Sequence, residues 1–384
     1  AEICCRLDGL PLALELAAAR LAHLTPEALL TRLEHRLPML TGGARDGPVR
    51  QQTMATTIGW SHDLLTPTER TLFRRLAVFA GGGTLEAAEA ICRTEADSEM
   101  DVLDGVASLV AESLIHHEAA STSPARYRLL GTVREYAAGQ LAASGEDVAI
   151  RTRHAAHFLA LAEQFGDLWR PDPLADFARI SPDLPNLRAA LSWTFAHGET
   201  TTFLRLAVAL RAYWLYHGGL SEGHMWLDNA LTLIDAAPEP LRAAVLQTAA
   251  WIANAQGDDH KSEHLAGQSL ALFRAQADAS GEFDALYVLA DAANVWGEVA
   301  RARALAGDAI RLARTMGDPI RAAFATKLDG WFAYLSGDTE AAERLIHEAV
   351  DLFQRAACDY GVALALSELG QIAFERGEHA RAAE

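Results

Sequence analysis

The sequence contains one run whose residue types and spacing could bind a metal, His260-Lys-Ser-Glu-His264. Two histidines four residues apart lie on one face of a helix, where they can ligate zinc while Glu263 acts as a general base. The run follows Gly257-Asp-Asp and is framed by polar residues, as a solvated helix start should be. Because short motifs often match by chance, we favour an ordinary helix start over a zinc peptidase and predict no metal site.

Other side chains that could do chemistry lack the arrangement for it. Lys261-Ser262 is the nearest approach to a phosphate-binding Gly-x-x-x-x-Gly-Lys-Ser/Thr loop, but Ala255 and His260 hold its glycine positions. The pair His116-His117 points to opposite faces of a predicted strand, so the two imidazoles cannot chelate one ion. The sequence has no Gly-x-Ser-x-Gly elbow and no paired carboxylates in a recognisable context. We therefore expect no catalytic site in this chain.

The elements that must position any site are dominated by a repeat. Gly257, Gly297, Gly337 and Gly377 lie 40 residues apart, and Asp or Glu follows each of them. Apolar positions keep the same register, in the two series Leu270, Ile310, Val350 and Leu272, Leu312, Leu352. This periodicity predicts an α-solenoid of tetratricopeptide-like helix pairs over residues 201–384. Such an array offers an extended surface to a protein or small-molecule effector and rarely carries catalysis.

Composition narrows the class of protein. Half of the 384 residues are apolar, and Ala and Leu dominate, which predicts a mainly α chain. The formal net charge of −18 argues against non-specific wrapping of nucleic acid, although a local basic patch at Arg70, Arg74 and Arg75 stays possible. No apolar run is long enough to span a membrane, and the four cysteines show no ligand spacing, so we expect a cytoplasmic protein. The missing Met and the cut last repeat indicate a segment of a longer protein.

Before the repeats, the sequence predicts further units. Residues 1–40 read as helices, one broken at Gly9-Leu-Pro-Leu12 and the next capped by Thr25-Pro26. Residues 51–145 read as a winged-helix domain with four helices, a small β-hairpin and a closing helix, in the order Thr53–Leu64, Thr68–Phe79, Leu85–Ile91, Met100–Glu112, Leu114–Glu118, Arg126–Leu130, Val133–Ser144. The breaker-rich loop 41–48 is the expected boundary between these two units. Residues 146–200 read as a helical connector.

Three stretches carry a resemblance to a known family. They are Gly9-Leu-Pro-Leu-Ala-Leu14, the run Glu69-Arg-Thr-Leu-Phe-Arg-Arg-Leu-Ala-Val-Phe-Ala-Gly-Gly82, and Arg126-Tyr-Arg-Leu-Leu-Gly-Thr-Val-Arg-Glu-Tyr-Ala137. In this order they resemble the signal-transduction NTPases with many domains (the STAND group), which includes the NB-ARC proteins and many bacterial LuxR-type regulators. The match covers about residues 1–145. Residues 1–40 are then similar to the C-terminal helices of an NTPase module.

The resemblance implies a nucleotide switch in the full-length protein. Pro11 would lie against the adenine base and Gly9 would shape the turn, with ATP or ADP and Mg bound mainly by a phosphate loop outside this chain. The animal and plant relatives place a His near the phosphate at the strand-to-helix junction, but here Leu129, Leu130 and Gly131 hold those positions. A ligand on the repeats would open a closed, nucleotide-bound state.

The predicted recognition helix of the winged helix, Met100–Glu112, contains Asp101 and Asp104 and no Arg or Lys. Because DNA phosphates repel such a helix, we interpret the winged helix as a packing module and expect DNA contact only through a domain outside this chain. The function hypothesis is the regulatory and sensing arm of a nucleotide-switched ATPase that acts as a transcriptional regulator. The alternatives are a repeat scaffold without a switch and the regulatory region of a fused nucleotide cyclase.

Overall fold

A computed structural model describes residues 2–33, 36–41, 53–94, 100–118 and 124–382. The described chain forms two compact units, Ala1–Phe158 with Pro182–Trp193, and Leu159–Ser181 with Thr194–Glu384. The fold is mainly α, with a winged helix and small sheet followed by tetratricopeptide-like helix pairs, as the sequence predicted. The connector predicted at 146–200 contributes to both units. The predicted boundary loop at 41–48 lies almost wholly outside the described residues, as does most of the hairpin loop at 121–124.

The first unit begins with the predicted N-terminal helices. Its helices before the connector are α1 Glu2–Arg6, α2 Pro11–Arg20, α3 Pro26–Arg32, α4 Arg36–Met39, α5 Met54–Asp63, α6 Pro67–Arg75, α7 Leu85–Cys92, α8 Val102–Ala111 and α9 Gly131–Ser144. The predicted cap of α3 is confirmed, because the Thr25 hydroxyl accepts a hydrogen bond from the Ala28 amide at 3.2 Å. The Thr66 hydroxyl and Glu69 carboxylate form a capping box that starts α6.

The wing is a three-stranded antiparallel sheet of β1 Gly83–Thr84, β2 His116–Glu118 and β3 Arg126–Arg128, in the order β1-β3-β2. The hairpin of β2 and β3 was predicted, whereas β1 was missed because two residues carry no alternating pattern. Arg126 holds the wing in place, since its guanidinium donates to the Gly82 carbonyl at 3.0 Å and pairs with Asp183 at 2.7 Å.

His154 is buried in this first unit between two aromatic rings. Its ring centroid lies 5.8 Å from that of Phe79 and 4.6 Å from that of Phe158. Burial lowers the pKa of His154 to about 3, although a hydrogen bond with Asn186 acts in the opposite direction. The folded protein therefore keeps this imidazole neutral at pH values where an unfolded chain protonates it.

We expect the first unit to lose stability in mild acid because of His154. The pKa of His154 in the folded protein lies below its unfolded value of about 6.5. Its contribution to the free energy of unfolding is therefore fully present above pH 6.5 and is lost as the pH falls towards 3. The loss is about 1.4 kcal/mol per pH unit, or about 2 kcal/mol at pH 5. Urea unfolding of the wild type and of His154→Gln at pH 7.5 and 5.0 measures it. An equal pH dependence in both proteins would contradict the assignment.

The second unit contains the repeats. Three helices lie within the predicted connector at 146–200, which contributes to both units. They are α10 Asp147–Glu163, α11 Pro173–Ile180 and α12 Leu184–Ala196. The remaining helices are α13 Thr200–Ala209, α14 Arg211–Tyr216, α15 Leu220–Thr232, α16 Glu239–Ala255, α17 Asp259–Gln276, α18 Ala279–Val295, α19 Val299–Met316, α20 Pro319–Leu335, α21 Thr339–Arg355, α22 Asp359–Glu375 and α23 His379–Ala382. Successive helices from α16 to α22 pack on one another, with small residues such as Ala293 and Ala306 fully buried between them.

The repeat glycines end the first helix of each pair. Gly257, Gly297, Gly337 and Gly377 have φ values between +75° and +86°, which a residue without Cβ adopts at little cost. The second turn of each repeat also has positive φ, at Ala277, Gly317 and Ala357, with φ between +51° and +69°. Sequence reasoning missed this second series because alanine holds two of its three positions.

Candidate functional site

The turn that resembles the nucleotide-binding module meets the winged helix at the start of α9. Gly9 has φ +66°, and Pro11 is the first residue of α2, so both occupy the predicted turn and both are exposed. The Asp8 carboxylate accepts a hydrogen bond from the Gly131 amide at 2.7 Å. Residues more than 120 positions apart thus lie together within the first unit.

A cavity of about 240 Å³ lies at this junction. Its charged lining consists of three arginines and one glutamate, Arg36, Arg134, Arg151 and Glu135, beside Gly131. The guanidinium of Arg36 lies directly against Gly131, where a Cβ would collide with it. A water molecule takes up about 30 Å³ in the liquid, so the cavity has room for a phosphate-sized anion.

The cavity lining has three guanidinium groups and one carboxylate, and some of these groups already have partners. The Glu135 carboxylate accepts from the Arg36 amide at 2.8 Å and from the Leu37 amide at 3.3 Å, which satisfies the start of α4. Asp147 pairs with Arg151 at 2.8 Å. The Arg134 guanidinium, by contrast, makes no hydrogen bond or ion pair to any residue that the structure describes.

Burial lowers the pKa of the Arg134 guanidinium, and the like charges of Arg36 and Arg151 lower it further. The carboxylates of Asp8 and Glu135 act in the opposite direction without cancelling the effect. A bound anion would offset both the desolvation and the repulsion, since arginine suits phosphate oxygens through its planar fork of donors. The arrangement can therefore bind a phosphate-like anion.

Arg134 stands one turn beyond the junction where the animal and plant relatives place their His. Leu129 at that junction is buried and Leu130 is half-buried. Arg134 was within the segment that carries the family resemblance, so the sequence contained a signal for it. Arg36 and Arg151 lie outside that segment and had no such signal.

The DNA-facing helix expected of a winged helix is acidic on its exposed side. α8 packs on α6 and α7 through Val102, Val106 and Leu109. The Asp101 carboxylate caps α8 by accepting from the Asp104 amide at 3.0 Å, and α8 contains no Lys or Arg. In the basic patch considered at Arg70, Arg74 and Arg75, the last two guanidinium groups share the single carboxylate of Glu146, which offsets part of their charge.

The residues of the zinc-like run are engaged elsewhere. Glu263 pairs with Arg301 at 2.7 Å. The His260 ring lies 4.2 Å from that of Trp296, and the His264 Nε2 atom lies 3.1 Å from the amide of Gln268. Among the residues described, no three His, Cys, Asp or Glu side chains form a cluster suited to a metal ion.

In the second unit, aromatic side chains gather on one face of the repeats. Trp214 and Trp226 are core residues, whereas Trp296 is exposed. Trp169, which sequence reasoning did not single out, lies against Trp251 of α16, Tyr287 of α18 and Phe324 of α20, with ring centroids 5.1 to 5.9 Å apart. This face of α16, α18 and α20 is called the inner face below.

Comparisons with known proteins agree with this architecture. Residues 65–142 match a family described as a winged helix-turn-helix domain. The chain is 40% identical over 230 residues to proteins of Mycobacterium bovis and Mycobacterium tuberculosis that are named "Putative HTH-type transcriptional regulator". That alignment covers 60% of this chain and 26% of the relative, so the chain spans about a quarter of the regulators it matches.

A solved structure is similar over almost the whole chain. It is the crystal structure of a Signal Transduction ATPase with Numerous Domains (STAND) protein with a tetratricopeptide repeat sensor from Pyrococcus horikoshii. The TM-score is 0.52 at 14% sequence identity, over 96% of this chain and 57% of that one, a likeness of fold. In the described part of the chain, no helix has the length and apolar character needed to cross a bilayer. The chain thus combines a winged helix-turn-helix domain with a tetratricopeptide-like array, a fold that it shares with a STAND protein.

Proposed function

We propose that this chain is the regulatory and sensing arm of a nucleotide-switched signal-transduction ATPase that acts as a transcriptional regulator of the LuxR type. The observation that carries the proposal is the hydrogen bond from the Gly131 amide to Asp8, which brings the Gly9–Pro11 turn beside the arginine-lined cavity. The turn supplies an exposed proline for the base, and the cavity supplies cations for a phosphate.

The nucleotide would be ATP or ADP with Mg in the full-length protein. Arg36, Arg134 and Arg151 suit phosphate oxygens and repel a metal cation, so they fit the anion and leave Mg to residues elsewhere. Bound nucleotide supplies a negative charge that favours the arrangement of α4 and α9 around the cavity. The role of this chain's residues is to hold that anion in one state and to release it in another.

The effector, a protein or a small molecule, would bind the repeats, and DNA would be contacted through a domain outside this chain. The acidic exposed side of α8 supports the second point, because an approaching phosphate backbone meets Asp101 and Asp104. The relatives' names support an output in transcription. A cytoplasmic location follows from this role and belongs to the same proposal.

Pyrophosphate binding tests the anion site on the chain as it stands. We expect pyrophosphate to bind the wild type in calorimetric titration and Arg134→Gln to bind it roughly 10- to 100-fold more weakly, because one charged donor is lost. Arg311→Gln is the matched control, since Arg311 is exposed and its one ion pair among the described residues is with neighbouring Asp308. Pro11→Ala should weaken ADP binding and leave pyrophosphate binding unchanged.

Equal pyrophosphate affinity in the wild type and Arg134→Gln would contradict the anion site. Undetectable binding of both pyrophosphate and ADP to the wild type would favour the repeat scaffold without a switch. The same titration therefore separates the two functions that the sequence left open.

A further inference from the structure

The segment 166–172 lies against the inner face of the repeats that follow it in sequence. Trp169 at its centre is buried and contacts rings of α16, α18 and α20, including Phe283 at a centroid distance of 5.2 Å. The ring centroids of Tyr216 of α14 and Tyr360 of α22 lie 5.8 Å apart. The array therefore curves around the side on which Trp169 lies. One short segment thus bridges three consecutive helix pairs from within the curve.

Two polar contacts orient the segment. The Trp169 indole N–H donates to the Asp284 carboxylate at 2.6 Å, and Arg321 donates to the Asp167 carboxylate at 3.4 Å. The Arg321 guanidinium also lies 6.0 Å from the Trp169 ring centroid, within reach of a cation–π interaction. The inner face therefore recognises an indole and an acidic group two residues before it.

The segment is held by its side chains rather than by its backbone. Among the described residues, no backbone–backbone hydrogen bond joins residues 166–172 to α16, α18 or α20. The one hydrogen bond of the Trp169 amide is local, to the Asp167 carboxylate at 3.1 Å. Separating the segment from the repeats therefore breaks no ladder of main-chain hydrogen bonds.

The charged groups of the inner face keep partners when the segment leaves. Asp284 retains the Arg211 guanidinium at 2.9 Å. Arg321 retains Asp318 at 2.5 Å and the Ser280 hydroxyl at 2.9 Å. Neither Asp284 nor Arg321 would therefore be left buried and unpaired, which removes a large cost of opening. The helix pairs also pack on one another in sequence, so the array does not depend on the segment for its order.

We propose that the inner face of α16, α18 and α20 is a peptide-binding groove that the chain closes with its own segment 166–172. Its partner is an extended peptide with an acidic residue two positions before a tryptophan, the chemistry of Asp167 and Trp169. The inference rests on the proposed function, whose repeat effector it specifies.

A partner peptide must compete with the tethered segment for the groove. A short linker gives an internal ligand an effective concentration in the millimolar range, against which a free peptide must compete. The affinity measured for a partner is reduced by the fraction of molecules in which the groove is open. A variant whose own segment no longer binds should therefore take up the peptide much more tightly than the wild type.

Hydrogen exchange on the wild-type chain tests the opening directly. We expect the Trp169 indole N–H, which donates to Asp284, to exchange through an opening of lower free energy than the amides of α18, because a closed segment opens locally. Exchange of the segment only with the global unfolding of α18 would overturn the proposal, since the segment would then be permanent core.

Peptide binding tests the groove. A fluorescent peptide with the sequence of residues 165–172 should bind Trp169→Ala at least tenfold more tightly than the wild type, and the same peptide with Ala for Trp should bind neither. Equal binding to both proteins, or binding to neither, would overturn the proposal. If Trp169→Ala does not fold, the exchange experiment on the wild type decides. Pyrophosphate titration of the same samples reports on the proposed nucleotide switch separately, since Arg134 is in the first unit.

Discussion

Trp169→Ala should destabilise the repeat unit by about 3 kcal/mol, near the lower end of the cost of truncating a buried tryptophan. The side chain is only 6% exposed and packs against aromatic rings of three helices. The Asp284 carboxylate loses the indole N–H but keeps Arg211, which limits the loss. Urea unfolding followed by far-UV circular dichroism at 222 nm measures the change.

The matched control for this prediction is Trp296→Ala. Trp296 is 42% exposed and contacts the His260 ring, so its removal should cost under about 1 kcal/mol. The decrease in unfolding free energy caused by Trp169→Ala also has an upper limit. If the segment can open without unfolding the repeats, a mutation in it costs at most the free energy of that opening. A loss much larger than the opening free energy from hydrogen exchange would mean that the segment does not open independently.

Glu146→Ala should destabilise the first unit by about 3 kcal/mol, because it removes a carboxylate that pairs with a buried guanidinium. Arg75 is only 4% exposed and pairs with Glu146 at 2.5 Å, while Arg74 pairs with the second carboxylate oxygen at 2.8 Å. Arg75 keeps the Cys92 carbonyl at 2.7 Å as one of its acceptors. Thermal unfolding of the variant and the wild type at pH 7 reports the difference.

Glu348→Ala removes a comparable ion pair at the surface and serves as the control. Glu348 and Arg314 are 40% and 59% exposed, and exposed pairs contribute about 1 kcal/mol or less. Similar losses in Glu146→Ala and Glu348→Ala would show that Arg75 is solvated after the change. That result would contradict the prediction that burial of Arg75 makes the loss of Glu146 costly.

The winged helix shows why some features of the fold could be predicted from the sequence and others could not. The helix start at Thr66-Pro67 is a local pattern, so the start of α6 was predicted to within one residue. The three arginines 70, 74 and 75 were equally visible, but the sequence could not show that two of them pair with Glu146. That pairing joins residues more than 70 positions apart, beyond the reach of any local pattern.

The candidate sites divide in the same way. The turn at Gly9 and Pro11 was identified from the residues that carry the family resemblance. The cavity beside it was not, because Arg36 precedes Glu135 by 99 residues and joins it only in the folded chain. Trp169 was overlooked because it belongs to no repeat and so keeps no register with the other tryptophans.

By itself the sequence determined the helix pairs, their 40-residue period and the turns at Gly257 and its equivalents. Helical periodicity and the demand for positive φ are local properties, so residue order alone specifies them. Only the tertiary structure decided which surfaces are available. It gathered three arginines into one cavity and laid Trp169 on the inner face of the repeats. Packing makes these choices because burial and charge pairing depend on distances in space, which separation along the chain does not fix.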